Sequence, residues 1–149
     1  MSLYYLDTSA LIKLYVREAG TDRMLRLASR TAGNQLAVLA LAQVETHSAL
    51  RRRQRAGAIS GKITDQLLQS FQRHVEGLFL RQNVTDAIID TACELADRHA
   101  LFALDAIQLA GYFALKASSG EIDPVFVSAD RDLLEAAAAE GVGVLNPCE

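Results

Sequence analysis

Residues 3–15, LYYLDTSALIKLY, decide how this chain folds. Leu3 to Leu6 form a run of strand length that is apolar throughout, and Asp7 ends it. The segment that follows, SALIKLYVREAG, has helical apolar spacing and a stop at Gly20. A strand that is apolar on both faces and passes straight into a helix is the unit of a parallel sheet covered on both sides.

The same unit returns downstream. Strands are predicted at 35–39, 80–84, 124–127 and 142–145. Between them fall helices at 21–30, at about 42–55 and at 86–99, 105–117 and 131–140. A further amphipathic helix is marked by Ile63, Leu67, Phe71, Val75, Leu78 and Phe79. The 105–117 helix is apolar nearly all round, which predicts a core position. Hairpin signals, internal repeats and linkers are absent from the sequence. With 149 residues, half of them hydrophobic, the chain is expected to form one α/β domain spanning 1–149.

Four carboxylates interrupt apolar segments: Asp7, Glu45 in VLALAQVETHSAL, Asp105 in LFALDAIQLA and Asp130 in VFVSADRDLL. Acidic side chains are rarely buried unless they are paired or bind metal. Taken singly, Asp7, Asp105 and Asp130 each also read as a helix N-cap. Glu45 does not, because it falls inside its helix with no Lys or Arg on the preceding turn. In an open parallel sheet, ligands bind beyond the carboxyl ends of the strands, where Asp7 and Asp130 are expected. Four acids on one edge repel unless a cation offsets them, and an all-oxygen set suits Mg²⁺ or Mn²⁺. Such a site can polarise a phosphodiester and activate water.

Other chemistries find less support. His47, His74 and His99 show no ligand spacing to one another or to cysteine and are expected to be non-catalytic. Cys93 and Cys148 are too few for a disulfide framework or a zinc site; the first reads as a small core residue and the second as part of a loose terminus. There is no GxxxxGK or GxGxxG loop for a nucleotide. A phosphoacceptor domain would place a Lys near a later strand end, and no Lys follows Lys116. The run RRRQR at 51–55 concentrates positive charge, by default on a solvated face. Arg52 returns to the Glu45 face about 10 Å along the helix, within reach of a phosphate beside the acids. Lys13 and Arg17 are weaker candidates for that task.

The net charge of −3 argues mildly against a nucleic-acid ligand, although bound divalent ions would more than cancel it. No charged segment with a following apolar run opens the chain, and no stretch reaches the ~20 apolar residues of a membrane span. The expectation is a soluble cytoplasmic protein with no membrane partner.

LDTSALIKLY, LAQVETHSAL, LFALDAIQLA and VFVSADRDLL, in this order, resemble the PIN-domain ribonucleases of the VapC toxin type, and the similarity covers essentially the whole chain. The resemblance implies a three-layer α/β/α fold with a five-stranded parallel sheet. It also implies a Mg²⁺-dependent endoribonuclease, the toxin of a type II toxin-antitoxin module, with RNA as substrate, a cognate antitoxin as partner and a homodimer as the expected assembly. Asp7, Glu45, Asp105 and Asp130 match the family's acids, Asp7 and Asp105 those most directly tied to metal, with Thr8 and Ser128 as accessory hydroxyls. Two departures bear on substrate contacts: Ala40 stands where Ser or Thr is common, and Phe102 where Arg is common. A non-toxin PIN nuclease in RNA processing and a degenerate PIN binding module are the alternatives.

Overall fold

The computed structural model describes residues 2–149. Five strands form one wholly parallel sheet: β1 (Leu3–Leu6), β2 (Gln35–Leu39), β3 (Leu80–Gln82), β4 (Val125–Val127) and β5 (Val144–Leu145). Their order is β3-β2-β1-β4-β5. The helices are α1 (Thr8–Leu11), α2 (Thr21–Ala28), α3 (Leu41–Arg55), α4 (Gly61–Gly77), α5 (Asp86–Arg98), α6 (Ala103–Ser118) and α7 (Arg131–Ala139). The chain leaves β1 in one direction to build β2 and β3 and returns to its other side for β4 and β5. The topological switch therefore lies between β1 and β4.

Strand alternation sorts the core into two layers. Leu3, Tyr5, Ala37, Leu39 and Phe126 face α5, α6 and α7. Leu6, Leu36, Val38 and Val127 face α1, α2, α3 and α4. This is the expected three-layer α/β/α arrangement. In the first layer the Tyr5 ring stacks on Phe126 at 5.7 Å and 16°, and Tyr112 meets Tyr5 edge-on at 6.1 Å. Burying a ring of this kind stabilises the fold by roughly 1.5–3 kcal/mol, and here it also fixes where the Tyr5 hydroxyl points.

Gly111 lets α6 settle on this layer. A Cβ there would overlap the Tyr5 hydroxyl and press on Leu39 at 3.2 Å. Helix α6 is buried along most of its length, as its composition predicts. No single helix among the described residues is long and apolar enough to cross a membrane; α5 and α6 are apolar together but bend by 119° at their junction.

Several boundaries differ from expectation for local reasons. The first helix is shorter than the predicted segment 9–20, because Ile12–Leu14 tightens into a 3₁₀ turn; Leu11 and Leu14, three apart, satisfy that period as well as the α-helical one. The strand predicted at 80–84 stops at Gln82, an edge position where Arg81 turns its guanidinium to the Asn83 side chain at 2.9 Å. The last strand begins at Val144 rather than 142, because the Val142 N–H closes α7 on the Ala137 carbonyl at 3.1 Å. Helix α6 begins at Ala103, so Asp105 sits inside its first turn and is not its cap.

Cys93, expected in the core, is exposed on α5, whereas Ala92 and Leu95 of the same helix are buried. The C-terminal segment is tied down rather than loose: Arg23 donates to the Asn146 carbonyl at 3.2 Å, and Cys148 Sγ lies 3.4 Å from the Ala19 carbonyl.

Candidate active site

The carboxyl ends of β1 and β4 lie side by side, and Asp7, directly after β1, and Asp130, three residues after β4, each turn a side chain onto the following helix. Asp7 extends the ladder through its N–H to the Val127 carbonyl at 3.1 Å and caps α1 by accepting from Ala10 N–H at 3.2 Å. Asp130 caps α7 through Leu133 N–H at 3.2 Å. The capping roles that the sequence left open for these two are thus real. They account for only part of the carboxylates' hydrogen-bonding capacity.

Hydroxyls stitch the two strand ends together. Ser9 Oγ donates to Asp7 Oδ1 at 2.6 Å and accepts from Ala129 N–H at 2.9 Å. Ser128 Oγ donates to Asp7 Oδ2 at 3.0 Å and accepts from Asp130 N–H at 3.0 Å. Asp7 is only 4% exposed. Burial raises its carboxyl from 3.8 to about 6; Ser9, Ser128 and Ala10 pull it down, and the Asp105 charge adds to the rise.

Asp105 and Glu45 complete the set from two helices. The Asp105 carboxyl is pushed up first by burial, then by the charges of Asp130, Glu45 and Asp132. These couplings show that Asp7, Glu45, Asp105 and Asp130 share one electrostatic neighbourhood. Glu45 Oε1 accepts from Thr8 Oγ at 2.8 Å and from Gln108 Nε2 at 2.9 Å. Among the described residues no Lys, Arg or His lies within 4.0 Å of any of the four carboxylates.

The basic residues fall elsewhere. Lys13 is buried against Glu18 at 2.8 Å, Arg53 pairs with Glu18, and Arg17 pairs with Asp22 on the exposed surface. Arg51 pairs with Asp65 at 3.0 Å. Arg52 is exposed, and its guanidinium reaches back to Ser48 Oγ at 3.0 Å, one turn from Glu45. A groove of about 600 Å³ between α3 and α4 is lined by His47, Arg51 and Arg55 with Val44 and Leu68. His74 bonds Tyr15, and His99 bonds Glu140.

The donor set fits a hard, hydrated cation. All its donors are oxygens, the acids lack cationic partners, and Asp7 Oδ2 has accepting capacity left after Ser128. No group of three acids among the described residues forms a ready-made ligand cluster. Mg²⁺ does not need one, since it keeps several waters and takes one or two carboxylates directly.

Four residues of this site escaped sequence reading: Tyr5, Ser9, Gln108 and Asp132. Gln108 carried a signal, being the one amide in AIQLAGYFAL and one turn from Asp105. Ser9 was hidden by its ordinary place in a DTS turn.

Known structures share this fold. Over 96% of this chain and 83% of the other, the fold matches PAE2754 from Pyrobaculum aerophilum at 24% identity and a TM-score of 0.64. It matches VapC20 of Mycobacterium tuberculosis, described as a sarcin-ricin loop cleaving toxin, at 20% identity and 0.64, covering 91% and 95%. VapBC2 from Rickettsia felis, bound to a promoter DNA fragment, matches at 11% and 0.65, covering 97% and 98%. At these identities the likeness establishes the fold. No curated protein matches by sequence. The sequence model of the PIN domain, in contrast, matches residues 4–139, nearly the full chain, and the protein accordingly belongs to the PIN-domain family.

Proposed function

We propose that the protein is a Mg²⁺-dependent endoribonuclease, the toxin of a type II toxin-antitoxin module acting in the cytoplasm. One observation carries this reading: four carboxylates without a cationic partner share the strand-end crevice where β1 and β4 part. Asp7, Asp105 and Asp130 would hold Mg²⁺, or Mn²⁺ in its place, directly or through water. Glu45 would bind a second ion or orient the attacking water. When bound, the metal supplies a polarised phosphate and a water of lowered pKa.

The chain's own residues do the rest. Ser9 and Ser128 keep Asp7 ionisable in a buried place. Thr8 steadies Glu45. Arg52, exposed beyond Ser48, grips a phosphate next to the cut. Structural neighbours from toxin-antitoxin complexes support a cognate antitoxin as partner, and dimers are the commonest symmetric assembly; co-purification with a small partner protein and sedimentation at micromolar concentration test those two points.

Incubation of total RNA with the purified chain, followed by mapping of the cut ends, tests the activity. Cleavage is expected with Mg²⁺ or Mn²⁺, lost in chelator, and lost in Asp7→Asn that retains a folded circular-dichroism spectrum. Full cleavage in excess chelator would overturn the metal-dependent mechanism.

A further inference from the structure

Gln108 is 2% exposed on the most buried helix of the protein, yet every polar atom of its amide has a partner. Its Oε1 accepts from the Tyr5 hydroxyl at 2.9 Å. Its Nε2 donates to Glu45 Oε1 at 2.9 Å and to Thr8 Oγ at 3.2 Å. The partners lie 103, 63 and 100 positions away, so β1, α1, α3 and α6 all converge on this one side chain.

The amide can face only one way. A flipped Gln108 would set its carbonyl oxygen against the Glu45 carboxylate, two acceptors with no proton between them. The Tyr5 ring cannot turn away either, because Phe126 stacks on it and Tyr112 closes its edge. The Tyr5 hydroxyl therefore donates to the amide oxygen, the amide nitrogen points to Glu45, and Thr8 Oγ accepts one hydrogen bond from that nitrogen while donating its own to Glu45.

We infer that Gln108, anchored by Tyr5, is a positioning residue that holds Glu45 by Oε1 and leaves Oε2 as the oxygen presented to the reaction. This rests on the ribonuclease reading for its kinetic consequence. Its structural basis, a Gln108–Glu45 coupling, does not. Two donors on one carboxylate oxygen define the carboxylate's rotation, and a general base or water-orienting group works only when its lone pair is aimed.

A double-mutant cycle in the full-length chain separates the possibilities. Gln108→Leu preserves bulk and removes the donors; under single-turnover conditions it should lower the rate of RNA cleavage about tenfold while KM for RNA stays within about twofold. In a Glu45→Gln background the same change should cost less than about twofold, because the group it positions is already disabled. Tyr5→Phe deletes one hydroxyl and should give a smaller loss of about threefold with unchanged KM. Equal losses in both backgrounds, or a loss confined to KM, would overturn the inference. Should Gln108→Leu fail to melt cooperatively, Tyr5→Phe decides alone, and a wild-type rate then counts against it. If the wild-type chain cleaves no RNA, the functional reading fails, and urea melts of the same cycle still report whether Gln108 and Glu45 are coupled; additive effects would dispose of the positioning role as well.

Discussion

Ser128 Oγ donates to Asp7 Oδ2 at 3.0 Å, joining the ends of β4 and β1 across 121 positions of sequence. It is one of three donors that hold the Asp7 carboxyl down against burial, with the balance near 6. Ser128→Ala removes that donor, so the carboxyl must rise further. The acid limb of Mg²⁺-dependent cleavage should move about one pH unit toward alkaline at limiting Mg²⁺. An unmoved limb would mean that Asp7 does not govern metal binding in that range.

Asp7 itself makes a prediction about stability. Its folded pKa of about 6 lies above the ordinary 3.8, so the folded protein holds this proton more tightly than the unfolded chain. The contribution is complete below the unfolded value and is lost as pH rises through about 6. In chelator, wild type should lose about 2 kcal/mol relative to Asp7→Asn between about pH 4 and about pH 8. Paired urea melts across that range measure it, and a pH-independent difference would refute it.

Asp105 lies in the first turn of α6, with Phe102 as the capping position. It is pushed up by burial and by three neighbouring charges. Asp105→Asn relieves that repulsion at nearly constant shape. At pH 7 in chelator it should match wild type or exceed it by under about 1 kcal/mol, and it should gain less from Mg²⁺. A clearly weaker Asn variant in chelator would show that the helix dipole matters more at this position than crowding.

Arg52 has no acidic partner among the described residues, whereas Arg51 and Arg53 do. Arg52→Ala should weaken RNA binding and lower the slope of log K against log salt by about one. Titrations at several salt concentrations with the Asp7→Asn chain read this without cleavage. An unchanged slope returns Arg52 to a solvated face.

Gly111→Ala would drive a Cβ into the Tyr5 hydroxyl. Because Tyr5 is wedged between Phe126 and Tyr112, α6 must shift, at a cost of about 1–3 kcal/mol. Thermal melts should show that loss together with reduced cleavage, since α6 carries both Asp105 and Gln108. A neutral substitution would imply slack between α6 and the sheet.

The strand-then-helix units and the four acids were legible because their signals are local. Periodicity, stop residues and a charge inside an apolar run need only a dozen neighbours to be read. Caps were legible for Asp7 and Asp130, which fall between a strand and the helix after it. Asp105 misled as a possible cap, since LFALDAIQLA does not say whether the helix starts before or after the acid; an extended Phe102 decided that. Cys93 misled for a related reason, since its apolar neighbourhood cannot say which helix face is covered.

By itself, then, the sequence determined a parallel α/β sheet with acids beyond strand ends and within helices, because hydrophobic spacing and the cost of burying charge act along the chain. Only the tertiary structure decided which hydroxyls and amides serve those acids. The strand order β3-β2-β1-β4-β5 sets Asp7 beside Asp130 and Ser128, and the packing of α6 on Tyr5 delivers Gln108 to Glu45. Those hydrogen bonds join residues 63 to 121 positions apart, and a bond closed only by folding leaves no periodic trace in the sequence that makes it.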